Sequence, residues 1–546
     1  MKGKIAIARY GNSFRGVKAK VAEDNGAVAL IIYSDPADDG YTQGDVYPKG
    51  PWRPESAAQR GSVQYLFIHP GDPLTPGTPA IPGTPRLRKE EATNLPHIPV
   101  QPISYGDARR LLQPLRGPLR PNDGFQGGLP FPYHVGGTND VRVHLKTNIE
   151  FVTKTIWNVI TRIDGAVEKD RWVVLGNHRD AWVFGAVDPN SGTTAMIELG
   201  RALGQLIKSG WKPRRSIVLG SWDAEEQGLI GSTEWVEENA AELKEKAVAY
   251  LNMDAAVSGP YFGAASVPSL WKLTYAAARD VRDPKTRKSV YEAWRDRAWE
   301  TTAQSNRYDA NGNEKPAPAP RIGALGSGSD YTPFLQHLGI PSLDMGFGGD
   351  YGVYHSAYDS FYWMAHFGDP TFQYHVAAAQ IWGTVTLRLA DSSALPFDYT
   401  DYANQLRDFV NETARLANQK KFASFDARPL MKAADDFHDE AEKTHKRRIE
   451  LEGQEPSQQS AERLRRINDA LIQTERAFID ARGLRGRSWF RHQIYAPGFY
   501  TGYAALPLPD LRQAIEDGRA ADAAEASRWI VAAIDRATEV LKKGRD

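Results

Sequence analysis

The chain runs to 546 residues, long enough for two to four domains that each bury a core of their own. Its 67 Lys and Arg balance 67 Asp and Glu, so nothing in the charge points to a nucleic-acid or membrane-surface partner. No apolar run approaches the roughly 18 residues of a membrane-crossing helix, and the absence of cysteine excludes disulfides, thiolate metal sites and cysteine nucleophiles. No signal peptide is visible. The chain enters on Lys4-Ile5-Ala6-Ile7, which reads as a strand in mid-domain and leads us to expect a shortened N-terminus.

Residues 1 to 152 are rich in Gly and Pro, with short strand-like runs such as Val28-Ala29-Leu30-Ile31-Ile32-Tyr33 separated by irregular stretches such as Gly71 to Pro85. This pattern predicts a loop-rich module with a small sheet. From 153 to 391 apolar runs alternate with amphipathic helices. The candidate strands are 156–163, 172–176, 216–221 and 248–253, and a helix between the second and third carries Met196, Leu199, Leu203 and Leu206 on one face. That alternation predicts an α/β region with a helix-flanked, mostly parallel sheet. Within it, 300–320, with Asn311, Gly312 and Asn313 before a Pro-Ala run, reads as a surface loop. From 392 to 546 the chain is helical and strongly charged; Leu464, Ile467, Leu471 and Phe478 mark one stripe, and Trp529, Ile530, Ala533 and Ile534 another.

The adjacent carboxylates Glu225-Glu226 follow the run Ser216 to Gly220. Two acids at a strand end repel one another, and a divalent cation would remove the conflict, with one as ligand and its neighbour free to move protons. For an isolated pair a solvated acidic loop is the commoner reading. Their company changes the balance. In open α/β sheets, loops beyond the carboxyl ends of strands converge on ligand sites. There stand His178 and Asp180 after Val173 to Gly176, Asp188 before the amphipathic helix, and Asp254 after Val248 to Met253; a last histidine, His355, ends the Tyr/Gly loop from Tyr351. Two histidines with three or four carboxylates suit zinc, and best a two-metal site. Two metals about 3.5 Å apart need a bridging carboxylate, with one histidine and one further carboxylate each. The inventory meets that demand with one glutamate left over.

The segments HRDAW at 178–182, GAVDPNSG at 185–192, SWDAEEQGLIGSTEW at 221–235 and LNMD at 251–254 resemble the M28 zinc peptidases, in the branch of glutamate carboxypeptidase II and transferrin receptor. RYGNSFRG at 9–16 and SDPADDG at 34–40 look like that branch's protease-associated (PA) apical domain. ERAFIDARGL at 475–484 and FRHQIYAP at 490–497 look like its helical dimerisation domain. The resemblance covers essentially the whole chain and implies an α/β fold of the M28 zinc-exopeptidase (phosphorylase/hydrolase-like) type. That is a mixed sheet flanked by helices, with a PA domain at 1–152, the catalytic domain at 153–391 and a helical dimerisation domain at 392–546. The first part of the family's catalytic domain, which should precede the apical domain, is not in this sequence.

Carried over residue by residue, the resemblance implies two zinc ions. Asp188 would bridge them, His178 and Asp254 would complete one site, and Glu226 and His355 the other. Asp180 would orient a ligand from behind. Glu225 would be the general base, and Tyr354 would donate to the oxyanion. A structural calcium is implied at Glu234, Glu237, Thr75 and Thr78. Arg15, Gly328, Ser329 and Tyr503 fall in the implied substrate pocket.

That pocket departs from the branch. Gly502 stands where a lysine is usual, and Ser62 and Ser329 replace asparagines. The arginine patch for acidic side chains falls near Ala264, Asp344 and Gly346. Losing one cation from a carboxylate site removes a charge-assisted bond worth roughly 1.5–3 kcal/mol, so the sequence predicts weak glutamate selectivity and a preference for neutral or apolar residues. The expected activity is hydrolysis of small peptides from the C-terminus, with an M28 aminopeptidase as the alternative. A non-catalytic receptor-like dimer is the alternative of another class. The resemblance further implies a homodimer through 392–546, helped by exposed apolar stripes there, and an extracellular or periplasmic location.

Overall fold

A computed structural model describes residues 1–545 apart from 121–123, 138–140, 308–314 and 456. Asn311, Gly312 and Asn313 of the expected surface loop lie outside the described residues.

Three parallel strands, β1 (Ile5–Arg9), β2 (Ala29–Tyr33) and β3 (Val100–Ile103), form the small N-terminal sheet in the order β1-β2-β3. β2 is central and buried along its whole length, as its unbroken Ala-Leu-Ile-Ile-Tyr run requires. Helix α1 (Arg15–Asp24) buries Val17, Ala19 and Ala22, which join Phe14, Leu30, Tyr65 and Phe67 in a local core.

The central sheet has six strands: β4 (Val159–Ile163), β5 (Glu168–His178), β6 (Arg215–Trp222), β7 (Ala247–Asn252), β8 (Tyr261–Ser266) and β9 (Ser342–Gly348). Their spatial order is β4-β6-β5-β7-β9-β8. The inner pairs are parallel, and the edge strands β4 and β8 run antiparallel. The sheet is therefore mixed and flanked by helices, as expected. The four apolar runs read from sequence became β4 to β7. Parallel pairing aligns His178 with Trp222 and Gly176 with Asn252, so the loops leaving β5, β6 and β7 emerge side by side.

Helix α2 (Asn190–Lys208) buries Met196, Leu199 and Leu203 and packs with α3 (Gln373–Asp391) over the sheet. Leu206 closes the predicted stripe in the last turn of α2 and is 37% exposed.

The C-terminal region is built on α4 (Tyr399–Gln419), α5 (Arg428–Glu452), α6 (Gln458–Arg476) and α7 (Ala520–Arg545), with α7 packed on both α5 and α6. Here one expectation is corrected. Leu464, Ile467, Leu471, Phe478, Ile530, Ala533 and Ile534 are all buried within the chain, so these stripes are core and not an exposed face. Trp529 stands off its stripe under the guanidinium of Arg482, 3.9 Å from the ring centroid.

One continuous apolar core runs from Trp172 on β5 to Leu541 on α7, uniting the central sheet with the helices. The N-terminal module keeps separate cores; one takes in Leu229 from just beyond the Glu225-Glu226 turn and Phe499 and Tyr503 from the C-terminal region. Three parts of the chain thus meet beside that turn. No helix among the described residues is long and apolar enough to cross a membrane.

Candidate metal centre

The centre is assembled where β5, β6 and β7 end. Asn177 donates through Nδ2 to the carbonyls of Met253 (3.0 Å) and Asp254 (3.1 Å), tying the end of β5 to the end of β7. Helix α2 starts close against this junction because position 192 is glycine. A Cβ there would lie 2.1 Å from the Asp254 carbonyl oxygen. The Asp188 loop is held by the buried Asp359, which accepts from the Val187 amide (2.9 Å), the Asp188 amide (3.2 Å) and the Tyr351 hydroxyl (2.8 Å). Asp180 accepts from the amides of Glu225 (3.0 Å) and Glu226 (3.1 Å), which fixes the start of the acidic turn. Ala224, Leu229 and His355 adopt left-handed backbone at φ 53°, 56° and 55°, a conformation costly for residues with a Cβ and concentrated at functional turns.

The N-terminal module holds His355 from behind. Its Nδ1 lies 3.1 Å from the Arg60 carbonyl oxygen, and the Arg60 amide donates to the His355 carbonyl (2.9 Å). Buried Arg53 donates through Nη2 to the Tyr354 carbonyl (2.8 Å) and pairs through Nε with Asp39 (2.7 Å).

Two sets of donor atoms result, His178/Asp188/Asp254 and Asp188/Glu226/His355, each within 4.8 Å. His178 Nε2 lies 2.7 Å from Asp254 Oδ1, 3.3 Å from Asp188 Oδ1 and 4.0 Å from Glu225 Oε2. His355 Nε2 lies 3.2 Å from both Asp188 Oδ2 and Glu226 Oε2. Asp188 belongs to both sets. Asp180 stands behind them, its carbonyl 3.0 Å and its carboxylate 3.6 Å from His178 Nδ1. Glu225, Tyr354, Arg15, Gly328 and Tyr503 line the same cavity of about 40 Å³ as the five donors.

The electrostatics of this cluster call for added positive charge. Burial, then Asp188, push the Glu226 carboxyl up to about 9. Burial also raises Glu225 well above the usual range, against the pull of His178. For His178, burial favours the neutral ring, but Asp254 and Glu225 override it and raise its pKa well above 6.5. Burial lowers His355 even beside Asp188. Asp188 Oδ1 and Glu226 Oε1 are buried without a hydrogen-bond partner, an arrangement that costs stability unless something else engages them. The residues therefore fit divalent cations, and the mixed nitrogen and oxygen donor set suits zinc.

Sequence reasoning missed several contributors. Asp330 is fully buried beside the centre with both oxygens unpartnered, and burial pushes its carboxyl up to about 7. It closes the same Gly326-Ser327-Gly328-Ser329 run that supplied two candidates, which was the available signal. Asn177 and Asn252 are polar ends on apolar strands, a second legible cue. Arg53 and Asp359 carry no local signal, because their partners are far away in sequence.

In the implied substrate pocket, Arg15 donates through Nη1 to the Tyr503 hydroxyl (2.9 Å) and through Nε to the Ser62 carbonyl (2.8 Å). A Cβ at Gly502 would lie 2.5 Å from Phe14 Cβ, so this backbone has no room for a lysine there. Ser329 instead donates to Asp254 Oδ2 (2.6 Å) and lines a neighbouring cavity together with Gly328.

The residues of the implied calcium site come together in part. Glu234 accepts from the amides of Asp72 (2.7 Å) and Ala80 (2.6 Å), stapling the loop that holds Thr75 and Thr78. Glu237 accepts from Trp489 Nε1 (2.7 Å), while its Oε2 and Thr75 Oγ1 are buried without partners. Burial, then Glu237, raise Glu234 to about 8, and burial raises Glu237 to about 7.

A mixed α/β sheet whose strand ends present two histidine–carboxylate sets joined by one aspartate defines a metal-dependent hydrolase. Comparison with known proteins narrows this. The profile of peptidase family M28 matches residues 158–366, that of the PA domain 1–66, and that of the transferrin receptor-like dimerisation domain 425–542. A probable glutamate carboxypeptidase of Arabidopsis thaliana is 41% identical over 93% of this chain and 69% of its own length. Another from Arthroderma benhamiae is 42% identical over 96% and 71%. An aminopeptidase of Rattus norvegicus, NAALADL1, is 36% identical over 91% and 67%. The chain belongs to peptidase family M28, in the branch that joins it to a PA domain and a transferrin receptor-like dimerisation domain. It is a metallo-exopeptidase, not a receptor.

Proposed function

We propose that the protein is a two-zinc carboxypeptidase acting on small peptides, with relaxed preference for what it removes. The observation that carries this reading is the buried Arg15 guanidinium in the wall of the cavity that holds the metal donors. A charge so placed suits a free carboxylate at the end of a peptide. The relatives named as glutamate carboxypeptidases support the same direction.

His178, Asp188 and Asp254 would hold one ion, and Asp188, Glu226 and His355 the other. When bound, the pair supplies Lewis acidity and a water of lowered pKa. Glu225 Oε2 takes a proton from the attacking water and delivers it to the nitrogen of the leaving amine. Burial and Tyr503 raise the Tyr354 hydroxyl well above its ordinary pKa, so it stays protonated and donates to the substrate carbonyl oxygen as charge builds there. Asp180 keeps His178 oriented and the acidic turn in register. Arg15, steadied by Tyr503 and Ser62, grips the terminal carboxylate.

The test is a dipeptide with a blocked N-terminus, offered to zinc-loaded protein. Hydrolysis is expected, and strict dependence on a free amine would replace this reading with aminopeptidase action. The rat relative and the glycine at 502 favour that second reading.

We also propose the remaining assignments made from the sequence. They are domain limits at 1–152, 153–391 and 392–546, a homodimer through the helical region, supported by its dimerisation-domain match, and a calcium at Glu234 and Glu237, supported by their unmet charge.

A further inference from the structure

A second and larger cavity, of about 400 Å³, adjoins the metal centre and is not lined by Arg15. The two cavities share Asp188, Asp254, Gly328 and Tyr354, so a peptide bond at the centre would reach into both. The walls of the larger one are pared down: Gly263 and Ala264 on β8 and Gly346 on β9 leave the space open. Its charged side chains are carboxylates, and among the described residues lining it there is no Lys, Arg or His.

Asp344 gives this cavity its character. It stands on β9 between the buried Leu343 and Met345, with its side chain on the opposite face and half-buried. Asn252 Nδ2 donates to Asp344 Oδ1 (2.9 Å) and also to Ser329 Oγ (2.8 Å), and Ser329 in turn donates to Asp254 Oδ2 (2.6 Å). The carboxylate is therefore held in place by the same polar chain that ends on a metal donor. Rigid placement of a single charge in a partly desolvated wall is the arrangement that discriminates between ligands by charge. Burial pushes the Asp344 carboxyl up to about 7, against the pull of Asn252, and a cation seated nearby would favour its ionised form.

We propose that the Asp344 cavity selects a cationic amine or guanidinium on the residue N-terminal to the scissile bond, resting on the peptidase reading above. Loss of cations alone would leave an indifferent pocket; a fixed carboxylate makes it one for positive charge and against glutamate or aspartate. The cation could be a Lys or Arg side chain, or the α-ammonium of a dipeptide.

The experiment compares four dipeptides that share a C-terminal leucine: N-acetyl-Lys-Leu, N-acetyl-Ala-Leu, N-acetyl-Glu-Leu and unblocked Ala-Leu. At least about a tenfold higher kcat/KM than for N-acetyl-Ala-Leu is expected for N-acetyl-Lys-Leu, for Ala-Leu, or for both, as one charge-assisted hydrogen bond provides. The first result identifies a side-chain cation, the second an α-ammonium. Asp344→Asn keeps the shape and should bring the ratio close to one; because the ratio is taken within one preparation, it does not depend on the folded fraction. Equal rates across the panel, a preference for N-acetyl-Glu-Leu, or a ratio unchanged in Asp344→Asn would overturn the proposal.

Calorimetric titration with Nα-acetyl-lysine, Nα-acetyl-glutamate and alaninamide reads the cavity without turnover. Binding of acetyl-lysine or alaninamide that depends on Asp344, in protein that cleaves none of the peptides, would sink the peptidase reading and leave the cavity assignment standing. Cleavage without charge preference does the reverse.

Discussion

Glu225 and Glu226 are neighbours in the chain with different surroundings. Glu226 Oε2 lies 3.2 Å from His355, whereas Glu225 Oε2 stands 4.0 Å from His178, outside both donor sets but inside the cavity they line. That offset is what a proton carrier needs, close to the reacting water yet not engaged as a ligand. Glu225→Gln should lower kcat by about 10²–10⁴-fold while zinc content, measured by metal analysis of the purified protein, stays at the level of the parent. Near-normal rates would remove Glu225 from the proton path. At this scale much of the candidate site was legible, because a metal centre needs acids and histidines that converge, and the sequence puts them at strand ends. Asp359 and Arg53 were not legible. Each acts on a loop far away in sequence, on Asp188 and Tyr354, and no local pattern reports such a partner.

Among the elements, the 39–62 segment of the N-terminal module acts as a brace for the loop from Tyr351 to Trp363. Arg53 and Arg60 hold the backbone of Tyr354 and His355, and the Trp363 indole donates to the Pro51 carbonyl (3.0 Å). His355 sits in left-handed backbone, so its ring direction depends on that brace. Arg53→Met would leave the half-buried Asp39 without its cation and should cost about 1–3 kcal/mol of stability. Arg53→Lys restores the charge but not the planar fork that reaches both Asp39 and Tyr354. Thermal melts should therefore show most of the stability recovered in Arg53→Lys, while zinc affinity and kcat stay below the parent. Full recovery of both would reduce Arg53 to a stability role. Strand content was less legible than site content: β8, Tyr-Phe-Gly-Ala-Ala-Ser, is too small-sided to read as a strand, and β9 carries Asp344 and two glycines where an apolar run would be recognised. β9 has the edge of β7 to join, and β8 in turn the edge of β9.

Across the whole molecule, one apolar core runs from β5 to α7 and crosses the proposed limit at 391, so the two regions share an interior. The apolar stripes of α6 and α7, read in the sequence as surfaces for a partner, are buried against each other and against α5. Residues 392–546 expressed alone should therefore lack a cooperative thermal transition by near-UV circular dichroism, whereas the full chain melts its sheet and helices together. A sharp, independent transition of the fragment would contradict that unity. Asp188 raises a different consequence. The centre has two halves, but the halves have a common member. Substitutions at His178 or Asp254, or at Glu226 or His355, would dismantle one half and could be inherited in stages. A change at Asp188 would take both at once. A lineage leaving catalysis behind through that position would lose both donor sets in a single step, and its descendants would keep the fold with the whole centre silenced.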